Sequence, residues 1–253
     1  MTTEDQVRKV FGQRAAFYTT SPAHTDPQVL ARIVALAMPQ PDWLVLDIAT
    51  GTGHTAFAIA SRVRAVVGTD LTVEMLREAV RLRVERGTIN VAFTLADVHH
   101  LPFPASTFHL ITCRRAAHHF SKIGLALDEM HRVLRSRGRL VIDDRSVPED
   151  DFVDACLNEL DRYHDESHMR QYRPSEWQLL LQTHGISVES VEIYTKHRPL
   201  TAFTGKASPE NVQRIHAVVA RLTPTQRAAL NLRDVNGELH LTHWYVTLAG
   251  NKP

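Results

Sequence analysis

Three features of the sequence predict an α/β fold with a mostly parallel sheet covered on both faces. Apolar runs of strand length alternate with helical stretches between residues 43 and 144. The first run, WLVLDI, carries a carboxylate near its end and leads into a small-residue loop with two glycines, Gly51 and Gly53. The tail ends in the alternating ELHLTHWYVTL, which gives two late strands with no ordinary crossover between them. Strand–helix alternation implies right-handed crossovers, which bury both faces of the sheet. The two late strands point to an antiparallel pair at one sheet edge.

Each element has its own signal. Residues 4–18 place Val7, Val10, Phe11 and Phe17 on an amphipathic helix, and TTSPAH breaks it. A second helix spans 26–37, with Asp26 as N-cap and Pro27 at its first position. Strands are expected at 43–48, 65–70, 91–97, 108–113 and 138–144, with helices at 53–62, 72–87 and 122–136. Thr72 and Gly87 punctuate the middle helix. Further on, 150–163 and 174–184 read as helices, 186–194 as a strand, and 208–222 and 223–230 as helices. Asn236-Gly237 turns into the last strand. One domain is expected over 1–253: an N-terminal helical lid over 1–40, a ligand-binding core over 41–145, and a lid insertion with substrate-side elements and the last strands over 146–253.

Composition narrows the partners. The 253 residues are 43% hydrophobic, enough for a full core, and 29 basic against 28 acidic residues leave a formal charge of +1. That balance gives no electrostatic grip on nucleic acid or on an anionic membrane. Cys113 and Cys156 have no paired-ligand spacing, no apolar signal core opens the sequence, and no stretch is long enough to span a bilayer. A reduced cytoplasmic protein, monomer or homodimer, acting on a small molecule and holding no metal, is expected.

The glycine loop raises the question of its ligand. Gly51-Thr52-Gly53-His54-Thr55-Ala56 fits G-x-G-x-x-A, and Asp70 ends the next strand at ribose-binding distance along the chain. A nicotinamide dinucleotide and another adenosine-containing ligand both remain possible on those residues. Asp47 separates them: a pyrophosphate would meet a second negative charge there, whereas a ligand with an ammonium and a sulfonium reverses the sign. S-adenosylmethionine is such a ligand. Asp47 has a second reading, bracing the loop by accepting its N–H groups. Asp97, at the end of the third strand, can accept from an adenine amino group, with Val98 and His99 beside the base; a turn-capping aspartate is the alternative.

VLDIATGTGHTA, VVGTDLTVEML, ADVHHLPFPASTFHLITCRRAAHHF and EMHRVLRSRGRLVIDD together resemble the class I S-adenosylmethionine-dependent methyltransferases, and more narrowly the ubiquinone/menaquinone C-methyltransferase-like (type 11) group. CRRAAHHF, DDRSVPED, DESHMR with SEW, and FGQRAAFYTTSPAH are similar to a bacterial subgroup of them. The resemblance implies a Rossmann-like seven-stranded sheet with its last strand antiparallel. It implies S-adenosylmethionine as cofactor, held by Asp47, Ala49, Gly51, Thr52, Gly53, Asp70, Leu71, Met75, Asp97, Val98, Arg114 and Tyr18. Ala49 stands where the family usually has its first glycine, and Arg135-Ser136-Arg137-Gly138 replaces the usual Lys-Pro-Gly-Gly turn. Arg115 replaces a usual aromatic residue, which leaves the acceptor less defined than the cofactor.

Methyl transfer from a sulfonium needs alignment first, and a general base only if the acceptor keeps its proton. His118 and His119 follow the fourth strand, where the reacting methyl would lie, and are the candidate bases, with His119 favoured because neighbouring loop residues usually point apart. Both could instead hold loop carbonyls. His24, Arg115, Asp144, His168 and Arg170 are candidate substrate contacts. Arg114 and Arg115 could hold an acidic or phenolate acceptor or equally pair with Asp143, Asp144 or Glu149, and His168 and Arg170 could instead sit on a solvated helix end. Two other classes stay open. One is a protein that binds S-adenosylmethionine without transferring methyl, as a cyclase, sensor or partner subunit. The other is an NAD-dependent oxidoreductase, which lacks a Tyr-x-x-x-Lys relay here. A carbon or oxygen acceptor on a quinone-like, phenolic or other secondary metabolite is the expectation.

Overall fold

The structure is a computed structural model that describes residues 3–205 and 207–253. Its strands are β1 (Leu44–Ile48), β2 (Ala65–Asp70), β3 (Val91–Leu95), β4 (Phe108–Arg114), β5 (Leu134–Ser146), β6 (Ser187–Pro199), β7 (Arg233–Val235) and β8 (Glu238–Asn251). They form one sheet in the order β3-β2-β1-β4-β5-β8-β6, with the short β7 paired to β8. The first five run parallel, and β8 runs antiparallel between β5 and β6. This is the Rossmann-like arrangement expected, with the late antiparallel strand inserted beside β5 and β6 on the sheet edge.

The helices are α1 (Thr3–Tyr18), α2 (Pro22–Thr25), α3 (Pro27–Ala37), α4 (His54–Ala60), α5 (Val73–Glu85), α6 (Ile123–Val133), α7 (Asp151–His164), α8 (Pro174–Thr183), α9 (Thr201–Thr204), α10 (Pro209–Ala220) and α11 (Pro224–Ala229). Asp26 caps α3 as expected, accepting from the N–H groups of Gln28 and Val29. Thr72 holds the N-cap position of α5, but its hydroxyl makes no cap bond; its own N–H donates to Asp70 instead. TTSPAH is not a plain break, because Ser21-Pro22 starts the single-turn α2. The sixth helix stops at Val133, short of the expected 136, and β5 starts at Leu134 rather than 138. Leu134 pairs with Phe108 before the register slips to Arg139 opposite Leu110, so the Arg-Ser-Arg-Gly segment is a bulge within the strand.

Alternation sends side chains to two cores. Leu46, Ile48, Ile111, Leu140 and Ile142 pack against α6 and α8 on one face; Val45, Val66, Leu110 and Val141 pack against α3 and α4 on the other. Each such side chain contributes roughly 1.5–3 kcal/mol. A third cluster, with Leu157, Leu160, Phe203, Ile215 and Leu241, unites α7, α9 and α10 beyond the strand ends. It raises a wall over the carboxyl-terminal edge, where open α/β sheets place their ligands. Among the described residues no helix is long and apolar enough to cross a membrane.

Candidate active site

The crevice at the carboxyl ends of the strands holds two joined chambers. The first has about 1020 Å³ of space, mouth included, and the second 1200 Å³. Both figures include the open mouths, and each leaves room for a small molecule. Phe11, Tyr18, His24, Arg115 and His119 line both and form the boundary between them.

The first chamber is built on the glycine loop. Ala49, Gly51 and Gly53 have φ of 48°, 55° and 88°, so three left-handed residues turn the chain from β1 into α4. Asp47 is buried at 1% exposure and accepts from Thr50 Oγ1 at 2.6 Å and Thr112 Oγ1 at 2.7 Å. It braces the loop through these hydroxyls and, as expected, through a backbone N–H, that of Ala56. Burial pushes its carboxyl up, against those hydroxyl bonds and the nearby Arg114. Asp70 accepts the Gly51 N–H at 2.8 Å and the Thr72 N–H at 2.9 Å. Burial lifts it to about 6 despite those bonds. Asp97 lies just past β3 and uses Oδ1 for the N–H and ring Nδ1 of His99. Leu71, Met75 and Val98 complete the apolar lining.

Arg114 enters from the end of β4. Its Nε donates to Thr55 Oγ1 and one Nη to the His24 carbonyl, both at 2.9 Å, while Nη1 is buried with no hydrogen-bond partner. Burial, then the adjacent Arg115, pushes this guanidinium down. The opposite wall is α1, whose last residue is tied to the loop: the Tyr18 carbonyl takes Thr52 Oγ1 at 3.4 Å and His54 Nε2 at 3.1 Å. Arg14 reaches Asp165 at 3.6 Å and Glu4 accepts from Ser121. Burial, with Asp165 near by, pushes the Tyr18 phenol up to about 12.

The second chamber belongs to the histidine turn. Both His118 and His119 line it, with rings 4.1 Å apart, because they share the 3-10 turn Ala117–His119; the expectation that one would face away is corrected. His118 Nδ1 lies 2.6 Å from Asp144, which also accepts the His118 N–H at 2.9 Å. Burial keeps His118 well below its usual value, so it is neutral, donates from Nδ1, and leaves Nε2 as an acceptor. His119 Nδ1 faces the Ser167 carbonyl at 3.1 Å; a carbonyl can only accept, so Nε2 is again the free nitrogen. His168 lines this chamber too, held by Asn158 at 3.1 Å.

Several expected residues lie elsewhere. Asp144 lines neither chamber and stands behind His118. Arg170 also lines neither: it is drawn away by Asp154 and Glu176. Gly53 forms the N-cap of α4 rather than chamber wall, and a Cβ there would strike Phe57. Arg115 borders both chambers, but its Nε is paired with Asp143 at 2.9 Å and an Nη with Tyr194 at 2.7 Å. The sequence reading missed Arg145, Asp161, His164, Arg198, His243 and Tyr245 in the second chamber, and took Phe11 for plain packing. The alternation of β6 and β8 was the one available signal, and it did not tell which face was inward.

This crevice, with carboxylates at or just past the ends of three successive strands of a sheet in this order, belongs to a Rossmann-like α/β fold. The chain belongs to the S-adenosylmethionine-dependent methyltransferase family: a family profile described as a methyltransferase domain matches residues 40–198. It is similar to an uncharacterised methyltransferase, YcgJ, of Bacillus subtilis (strain 168), at 36% identity over 182 residues, 72% of each chain. The crystal structure of that protein superposes with a TM-score of 0.82 at 30% identity, covering 88% of this chain and 97% of the other. A demethylmenaquinone methyltransferase of Thermus thermophilus is 39% identical over 113 residues, 44% of this chain and 51% of that protein. Geranyl diphosphate C-methyltransferase of Streptomyces coelicolor A3(2), solved with S-adenosyl-L-homocysteine, shares the fold at a TM-score of 0.62 and 14% identity, covering 94% and 84%.

Proposed function

We propose that the first chamber binds S-adenosylmethionine and that the chain transfers its methyl group to carbon or oxygen of a small molecule held in the second. The observation that carries this is the pair of chambers meeting at His119, one lined by strand-end carboxylates and the other by imidazoles. The residues fit the cofactor. Asp70 is placed for the ribose hydroxyls, Asp97 for the adenine amino group through its Oδ2, and Leu71, Met75 and Val98 for the base. Gly51 and Thr52 are assigned to the methionine part, and Arg114, which lines the chamber, is the cation for its carboxylate. When bound, the cofactor supplies a methyl on a positive sulfur, and the S–C bonding pair leaves with that sulfur.

His119 is the residue for the acceptor's proton. It borders both chambers, its Nδ1–H is fixed by Ser167, and its Nε2 lone pair is open to a phenol or enol hydroxyl. His118, fixed by Asp144, holds the acceptor's other polar groups. Elements 3–18 and 146–175 act as covers that exclude water. The test is calorimetric titration with S-adenosylmethionine, S-adenosylhomocysteine and NADH, followed by methyl-transfer assays on phenolic and quinone acceptors. Binding of the first two and not NADH is expected. NADH binding alone would sink the proposal.

A further inference from the structure

The second chamber has polar groups that neither its own walls nor the proton transfer use. Arg145 leaves β5 and points one Nη at Asp161 and the other at His243 Nδ1, 3.2 Å away. An arginine can only donate, so Nδ1 of His243 is the acceptor and its proton sits on Nε2. That Nε2 and the Arg145 Nε are both buried and have no hydrogen-bond partner among the described residues. Both are therefore donors without an acceptor. Arg198 also lines the chamber, half-buried, and takes part in no ion pair or side-chain hydrogen bond among the described residues.

Strand register puts these groups on one surface. Arg145 is opposite Tyr245 across β5 and β8, His243 is two residues from Tyr245, and Arg198 is opposite Leu241 across β8 and β6. Side chains two apart, and those directly opposite, share a face. The charges of the chamber do not balance. Asp161 is matched by Arg145, Asp165 by Arg14, and Arg115 by Asp143. Burial holds His118, His164, His168 and His243 below their usual values, so they are neutral. Arg198 is the lining arginine left without an ion pair among the described residues; the nearest unmatched carboxylate, Asp144, lies behind His118 and does not bridge to it. Among the described residues no three histidine, cysteine or acidic side chains converge as a metal-holding set.

We propose that the methyl acceptor is an anion whose carboxylate or phosphate group is held by Arg198, with the buried Arg145 and His243 donors turning towards it when it binds. This rests on the second chamber being the acceptor room. A carboxylate and a phosphate share the needed chemistry: acceptor oxygens and negative charge that satisfy donors already desolvated. The head group docks at the β6–β8 side, and the remainder of the molecule extends towards His119 and the first chamber.

The test uses the full chain saturated with S-adenosylhomocysteine and titrated with three probes of like shape: 4-hydroxybenzoate, phenyl phosphate and neutral 4-hydroxybenzamide. At least one anion is expected to bind about tenfold or more tightly than the amide, with an affinity that falls as salt rises. Arg198→Gln is expected to bring that preference within about twofold, and Arg198→Lys to keep part of it. Because Arg198 makes no ion pair among the described residues, neither variant breaks one there, and S-adenosylhomocysteine affinity reports that the fold is intact. The preferred anion assigns the head group as carboxylate or phosphate. Equal binding of amide and anions, an undiminished preference in Arg198→Gln, or no binding of either anion at millimolar concentration would overturn the proposal. Failure of the parent chain to bind S-adenosylhomocysteine would instead overturn the function on which it rests.

Discussion

Replacing Asp70 by asparagine tests the cofactor chamber at the point where fold and ligand compete for one carboxylate. Lifting Asp70 from its ordinary 3.8 to about 6 costs the ionised fold roughly 3 kcal/mol at neutral pH. Asparagine removes that cost. It also turns one acceptor into an NH2 group facing the Gly51 or Thr72 N–H, a conflict worth about 1–3 kcal/mol. The two terms nearly cancel, so Asp70→Asn is expected to melt within a few degrees of the parent. Ligand binding has no such offset. Two hydroxyls that donate to a carboxylate lose about 1.5–3 kcal/mol, which is about 10- to 150-fold in Kd for S-adenosylhomocysteine. The sign with pH follows. A raised carboxyl makes the folded state bind protons more readily, so this group's contribution to stability falls as pH rises from about 4 to 6. Ribose hydroxyls favour the carboxylate, so cofactor binding near pH 6 releases protons and weakens on acidification. Calorimetry in buffers of different ionisation enthalpy reads the proton release, and the asparagine variant should show none from this site. An unchanged Kd in Asp70→Asn at pH 7.5 would refute the assignment.

Three further outcomes are expected. Ala49→Gly should raise Tm by a few degrees in a thermal melt: at φ 48° an L-residue carries about 1–2 kcal/mol of strain, and glycine's extra unfolded freedom cancels only part of that gain. A lower Tm would mean that the Ala49 methyl packs better than its backbone suggests. Asp143→Asn should cost about 3–5 kcal/mol in urea unfolding, because Asp143 serves Arg115, Tyr194 and Thr247 at once and its loss leaves a buried guanidinium unbalanced; a loss under about 1 kcal/mol would contradict that count. His119→Gln should lower kcat by about 10²–10⁴ on any acceptor found, with Asp144→Asn lowering it less and altering its pH profile through His118. Equal activity of His119→Gln and the parent would remove His119 from the chemistry.

The cofactor half of the site was legible because its chemistry sits at strand ends. Asp47, Asp70 and Asp97 each close an apolar run, and the topology of an open sheet carries all three to one edge. The half proposed for the acceptor was hidden because its residues are brought together by pairing between distant strands. Arg145, Arg198 and His243 meet only once β8 lies between β5 and β6, and no local pattern sets that register. His168 and Arg170 looked alike in DESHMRQY. Asp154 and Glu176, far along the chain from one another, take the arginine away and leave the histidine in the wall. The Arg-Ser-Arg-Gly segment read as a helix end and the turn before the fifth strand. Gly138 instead lets the strand pass close over Arg135 and Leu134, where a Cβ would lie 2.7 Å from both.

The single helix α1 touches both chambers through Phe11 and Tyr18, and is fastened at the glycine loop, at Ser121 and at Asp165. On the proposed assignment of the chambers, cofactor and acceptor share one door. Unfastening it frees both compartments together, so the spent cofactor and the methylated product are expected to leave in one opening event. A rapid-quench experiment should then show a burst of one methylated product per chain before slower turnover sets in. The steady rate should quicken when Arg14→Gln removes one of the fastenings, while the burst rate, which reports the chemistry, stays as it was.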